Sequence, residues 1–212
     1  DLISETAKLA SDVGIQAKDA IFRIASQTKA ITSTAVMMLW EEGKWKLDDP
    51  VTKYIPEFSD LKVLDGTNPD GTPRLVDMER PPTMRELMSH TGGFAYGLGG
   101  TDPANTAFRD EAVLRSPDFD TLIERVSGIP LLFQPGEEWF YSVSVDLQGY
   151  IVEKLSGQKF GEFLEEDKYW KGYVQLTNFG WPDLLPENSA TMQVIVKGIL
   201  EDEPFAMAEK NL

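Results

Sequence analysis

Apolar residues recur at helical spacing through residues 30–40, where Ile31, Ala35, Met38 and Leu39 fall on one face. Gly43 stands where that helix is predicted to stop. A short extended lead-in, residues 20–24, precedes it. Leu2, Ile3, Leu9 and Ala10 predict a short amphipathic helix within residues 1–20, ending near Gly14. Asp49 is placed to cap a short helix with Pro50 at its first position, and Pro56 closes it. Residues 57–82 are rich in Asp, Gly and Pro and read as loop, with a short strand near residues 74–76. Thr83 and Glu86 form a capping-box pattern for a compact helix that ends at His90-Thr91-Gly92-Gly93. Residues 94–116 read as loop. Ser116 is placed to cap a helix running to Ser127, and further helices are predicted over residues 143–156 and 160–170. Beyond Trp170 the pattern changes. Residues 173–177 read as a strand, and residues 192–200 as either a strand or a buried helix.

Composition narrows the classes. The chain has 212 residues with 42% hydrophobic content, enough for one domain or a domain with a subdomain. Its net charge of −15 argues against nucleic acid and against an anionic membrane surface as partners. No apolar run approaches the length of a membrane span. No signal-peptide pattern opens the sequence, which slightly favours the cytoplasm, though a removed leader leaves no trace. There is no cysteine, hence no thiolate nucleophile, no disulfide and no cysteine metal site. The single histidine, His90, excludes two-histidine zinc motifs and any multi-histidine metal cluster.

The chemistry-bearing stretch is Phe22-Arg23-Ile24-Ala25-Ser26-Gln27-Thr28-Lys29. Three residues apart on a helix, Ser26 and Lys29 share a face, so an amine stands beside a hydroxyl near a helix N-terminus. No G-x-S-x-G elbow occurs, so a serine nucleophile here needs a lysine or tyrosine base, or His90 in an unusual setting. His90 itself reads as a residue at a helix C-terminus, where the dipole favours it. Trp40, Trp45, Trp139, Trp170 and Trp181 read as packing residues. The acidic clusters at 165–167 and 201–203 read as solvated faces.

Ser26-Gln27-Thr28-Lys29 resembles the S-x-x-K motif of the serine β-lactamase and penicillin-binding-protein superfamily. The flanking words Glu41-Glu42-Gly43-Lys44, Leu47-Asp48-Asp49-Pro50-Val51, Leu87-Met88-Ser89-His90-Thr91-Gly92-Gly93, Pro135-Gly136-Glu137 and Tyr141-Ser142 resemble its class C β-lactamase-like branch, which includes the family VIII esterases. The likeness spans residues 14–167. It implies a β-lactamase/transpeptidase-like α+β fold, with Ser26 as acyl-accepting nucleophile. Lys29 would take its proton or hold the network that does. Tyr141 would be partner base or acid for the leaving group, and the Ser26 backbone N–H an oxyanion donor. In this family the His-Thr-Gly-Gly turn is architectural. Trp139, Phe140 and Val143 are expected to bind substrate, with Trp139 or Phe140 walling an acyl pocket. Val143 stands where many β-lactamases carry the Asn of Tyr-x-Asn, a loss that fits an esterase better than a lactamase.

The third family motif, a K-T-G on a sheet strand, has only faint counterparts at Val196-Lys197-Gly198 and Gly180-Trp181. The residues before Ser26 read as helix and loop, so the chain is expected to be predominantly α-helical with little sheet, truncated or rearranged. Residues 1–170 are expected to form a β-lactamase-like helical region, and residues 171–212 a divergent segment packing on it. An apolar face left open by a missing sheet would be covered by that segment or by a second copy of the chain. Three functions are therefore weighed. The first is a serine hydrolase acting on small carboxylic esters through an acyl-serine, which needs neither a metal nor an organic cofactor. The second is an inactive fragment or engineered scaffold derived from one. The third is a β-lactamase or D-alanyl-peptidase-like enzyme.

Overall fold

The structure, a computed structural model, describes residues 21–23, 25–166, 174–177 and 193–197. Strand β1 (Ile21–Arg23) leads into a 3-10 turn (Ala25–Gln27) and helix α1 (Thr28–Glu41). Ala25 adopts a left-handed φ of 43°, which turns the chain sharply from strand to helix. Helix α1 ends one residue before Glu42, and Gly43 reverses the chain at φ 74°. Its buried face is Thr32, Ala35, Val36 and Leu39, close to the face expected from spacing.

A hairpin of β2 (Lys62–Thr67) and β3 (Pro73–Asp77) occupies the stretch read as loop with one short strand. Its second strand was legible. Its first, with Asp65 and Gly66 inside it, was hidden because those residues mark an irregularity in the pairing. Pro50 precedes only a 3-10 turn (Val51–Lys53), and Pro56 opens another (Pro56–Asp60) instead of closing one. Asp49 does not cap a helix; its carboxylate accepts from the Lys46 N–H, the Lys53 ammonium and the Tyr54 hydroxyl.

Helix α2 (Met84–Met88) starts at Thr83 with both halves of the capping box in place. Helix α3 (Pro103–Asp110), capped by Asp102, lies in the segment read as loop. Helix α4 (Phe119–Ser127) takes its cap from Asp118, whereas Ser116 is fully buried with its hydroxyl on the Val113 carbonyl. Helix α5 (Ser144–Ser156) follows the predicted bounds closely and ends at a left-handed Gly157; helix α6 (Phe160–Glu166) starts where predicted, and residues 167–170 of that expectation lie outside the described residues.

Strands β4 (Val174–Thr177) and β5 (Gln193–Lys197) join β1 in an antiparallel sheet of order β1-β5-β4. Ile21–Arg23 are thus strand, in keeping with the extended lead-in expected over residues 20–24 and unlike the helix and loop expected ahead of Ser26 as a whole, and the stretch open to two readings contains a strand. Ile21 pairs with Lys197, so the chain that delivers Ser26 is hydrogen-bonded to the C-terminal segment. The pairing is hidden in the sequence because three residues are too few to show alternation. The helix expected within residues 1–20, Trp170, the Gly180-Trp181 pair and the acidic cluster at 201–203 lie outside the described residues.

Helix α5 is the centre of the core: every residue from Ser144 to Val152 is buried, and it packs against α1, α2 and α6. Among the tryptophans, Trp45 is a core residue that donates from its indole to the Val36 carbonyl. Trp40 and Trp139 instead stand in solvent, at 41% and 65% exposure.

Candidate active site

Ser26 sits in the 3-10 turn just before α1, and Lys29 lies in the first turn of α1. Tyr141 comes from the segment leading into α5. The packing of α1 on α5 brings these parts together. The Ser26 hydroxyl and the Tyr141 hydroxyl are 2.8 Å apart, a hydrogen bond across 115 positions. The Lys29 ammonium lies 4.8 Å from the centre of the Tyr141 ring and 5.4 Å from that of Tyr96, and donates to the Tyr96 hydroxyl at 3.5 Å. The Tyr96 and Tyr141 rings meet edge to face at 5.4 Å.

These contacts set the charges. Half-burial of Lys29 works to lower its pKa. Hydrogen bonding to Tyr141, with the negative potential of Tyr96, Tyr141 and Asp146, outweighs it, and the amine titrates above 10.5. Partial burial of Tyr141 works to raise its pKa, but hydrogen bonds to Lys29 and Ser26 and the lysine charge bring it below 10.0. Asp146, on the buried face of α5, is pushed up to about 6 by burial, with Lys29 pulling the other way. The geometry therefore offers a proton-accepting phenol held beside a serine hydroxyl by a lysine that stays charged.

Tyr96 and Asp146 were not singled out from the sequence. Tyr96 gave only a weak signal, an aromatic soon after the His-Thr-Gly-Gly turn. Asp146 gave a clearer one, an acid five residues after Tyr141 inside the apolar pattern of a helix. Tyr96 is held by Asn105, whose side-chain carbonyl accepts from the N–H groups of Tyr96 and Gly97. Asp102 in turn fixes the Asn105 amide. A cavity of about 350 Å³ shares Tyr96 with the site and is walled by Leu98, Phe108, Val113, Arg109 and Arg115.

The turn at His90 packs against the Tyr141 segment. Arg80 binds Glu86 in a two-pronged ion pair and donates to the Pro135 carbonyl, and Gly136 N–H donates to the Thr91 carbonyl. Gly93 closes this turn at φ 84°, with no room for a side chain: a Cβ there would lie 2.5 Å from the Phe133 carbonyl oxygen. The His90 ring stacks on the Tyr141 ring at 5.2 Å, and Trp139 meets the histidine edge-on at 6.3 Å.

The structure divides the expected substrate residues. Trp139 is exposed beside the stacked pair, and Phe140 is half-buried. Val143 is fully buried in the hydrophobic core, so its side chain faces no open surface; as the residue preceding α5 it is drawn inward with that helix. Among the described residues no cluster of His, Asp and Glu is arranged to hold a metal. The side chains of Val196 and Lys197 lie outside the described structure.

The fold is that of the β-lactamase/transpeptidase-like proteins. The unliganded simvastatin synthase LovD of Aspergillus terreus superposes with a TM-score of 0.65 at 23% identity, over 85% of this chain and 50% of that one. The hydrolase EstCE1, described as having promiscuous acyltransferase activity, does so at 0.61 and 19% identity, over 85% and 56%. The family described as Beta-lactamase matches residues 7–193, and the chain belongs to that family. Esterase EstB of Burkholderia gladioli is 37% identical over 145 residues, 66% of this chain and 34% of EstB. Lovastatin esterase of Penicillium rubens is 30% identical over 162 residues, 76% of this chain and 40% of that protein. The chain thus spans a little over a third of the length of these curated relatives.

Proposed function

We propose that the chain carries the nucleophile and proton-transfer half of a serine hydrolase that cleaves small carboxylic esters through an acyl-serine. The observation that carries this reading is the 2.8 Å contact between the Ser26 and Tyr141 hydroxyls. In the attack, the Tyr141 phenolate takes the Ser26 proton and the oxygen bonds to the ester carbonyl carbon. The tetrahedral oxyanion is received by the Ser26 backbone N–H. As it collapses, the C–O bond to the alcohol breaks and the alkoxide takes the proton from Tyr141. Water then repeats the sequence on the acyl-serine: Tyr141 takes its proton, hydroxide adds, and Ser26 leaves protonated, releasing the acid. Lys29 remains an ammonium throughout and stabilises the phenolate between turns.

Relatives named as esterases support the ester class over the lactam class. So does Val143, which brings no side-chain amide to the site. Exposed Trp139 and the cavity beside Tyr96 offer apolar walls for a small acyl or alcohol group. The test is a stopped-flow burst with an activated aryl ester, together with intact mass after a fluorophosphonate. A burst of one equivalent and an adduct on Ser26 are expected. A folded protein that gives neither refutes the reading and leaves the inactive scaffold.

A further inference from the structure

We propose that His90 is the positioning residue of this site, setting the place of the Tyr141 phenol through three successive contacts with residues 140–142. Its carbonyl accepts from the Phe140 N–H at 3.0 Å. Its ring stacks on the Tyr141 ring, 5.2 Å between centres and 29° between planes. Its Nδ1 accepts from the Ser142 N–H at 3.1 Å and lies 3.1 Å from the Ser142 hydroxyl, which bonds on to Ser144 at the start of α5 at 2.7 Å. A helix-end histidine needs none of these bonds to serve the dipole. Here backbone and side chain converge on one segment, and the residue at its centre is the one that meets Ser26.

The bonding also fixes the ring's state. A backbone N–H can only donate, so Nδ1 must hold a lone pair and the proton of the neutral ring sits on Nε2. Burial, and then the Lys29 charge, hold His90 below its ordinary 6.5, in keeping with that tautomer. Lys29 is the charged group that acts on the ring, and Tyr141 the titratable group stacked on it. His90 reaches this pose from a left-handed φ of 60°, a conformation histidine tolerates better than most residues but which still carries a cost. The surrounding contacts hold it there.

The proposal rests on the ester-hydrolase reading, so its test uses one readout that needs turnover and one that does not. Asparagine places an acceptor at the same distance from the backbone as Nδ1 and also tolerates left-handed φ. His90→Asn is therefore expected to acylate within about threefold of the parent. His90→Gly, which fits the backbone but lacks acceptor and ring, is expected to lose about ten- to a hundred-fold in acylation rate with little change in KM. His90→Phe keeps the ring without the acceptor. It is expected to fall between the asparagine and glycine variants, and it replaces the glycine variant if that form does not fold. The second readout is the ultraviolet titration of Tyr141, isolated by subtracting a Tyr141→Phe background. His90→Gly should move this phenol up towards its ordinary value, and His90→Asn should not.

If all three variants acylate in proportion to their folded fraction and the phenol titrates as in the parent, the proposal is overturned. If the parent itself never acylates, the hydrolase reading fails and the phenol titration alone decides about His90.

Discussion

The Ser26 and Tyr141 hydroxyls meet at 2.8 Å although 115 positions separate them, and the lysine that shares a helical turn with Ser26 lies over the tyrosine ring. The sequence placed amine and serine together. The structure turns the amine towards the phenol.

Ser26→Ala should abolish the burst with an aryl ester, and Tyr141→Phe should slow acylation by about 10² to 10⁴. KM should change little in Tyr141→Phe, because the phenol acts in the transition state. Stopped-flow rates on both variants check this. Unchanged acylation in Tyr141→Phe would move the base elsewhere.

The pH profile carries the lysine's share. On the proposed mechanism Tyr141 acts as the phenolate, and its pKa lies below 10.0, so acylation should rise with pH and level off below that value. Lys29→Met removes a hydrogen bond and a positive charge that favour the phenolate. Its rising limb should therefore shift to higher pH, with a lower rate at neutrality. A limb that stays in place would mean that the lysine does not tune the phenol.

Asp49 predicts a separate pH effect, on stability. Its carboxylate is held at about 2, chiefly by the Tyr54 hydroxyl, then Lys53 and the Lys46 N–H, against an ordinary 3.8. A depressed folded-state pKa stabilises above the unfolded value, and the contribution is lost as pH falls through the folded value. Asp49→Asn should cost about 1 kcal/mol at pH 7, allowing for solvent screening. The gap to the parent should close between pH 4 and 2, the range those two values bracket, in urea melts across that range.

Gly93→Ala sets a Cβ 2.5 Å from the Phe133 carbonyl at a φ of 84°, whereas Gly43→Ala meets nothing within 4 Å at a φ of 74°. Both variants pay for the left-handed backbone, about 1 kcal/mol. Only Gly93→Ala also displaces backbone, for about 1–3 kcal/mol more. Equal melting shifts for the two would show that the His90 turn yields without strain.

Legibility in the sequence followed the length of each signal. Helix α1 announced itself by spacing, α5 by start and stop signals, and α2 by a capping box that is present atom for atom. Helix α3 was hidden in a loop reading because its eight residues carry few apolar positions, though the Asp102-Pro103 start was visible. Strand β1 has three residues and no periodicity to read, so its extended backbone was legible but its pairing with β5 was not. Ser26, Lys29 and Tyr141 were legible through motif words. Tyr96 and Asp146 were not, because what recruits them is proximity to the Lys29 charge, which no local pattern encodes. Val143 shows the reverse failure: its position in a motif suggested substrate, and the inward turn of α5 put it in the core.

The long separation between Ser26 and Tyr141 also bears on how the chain reaches its native state. Helices α1 and α5 can form from local contacts, but the hydroxyl pair requires closing a loop of more than a hundred residues, and such closures come late. During refolding, far-UV helicity should therefore return before reactivity towards a fluorophosphonate. The serine becomes a clock for the final step of assembly, silent in any collapsed intermediate that has its helices but not their registry.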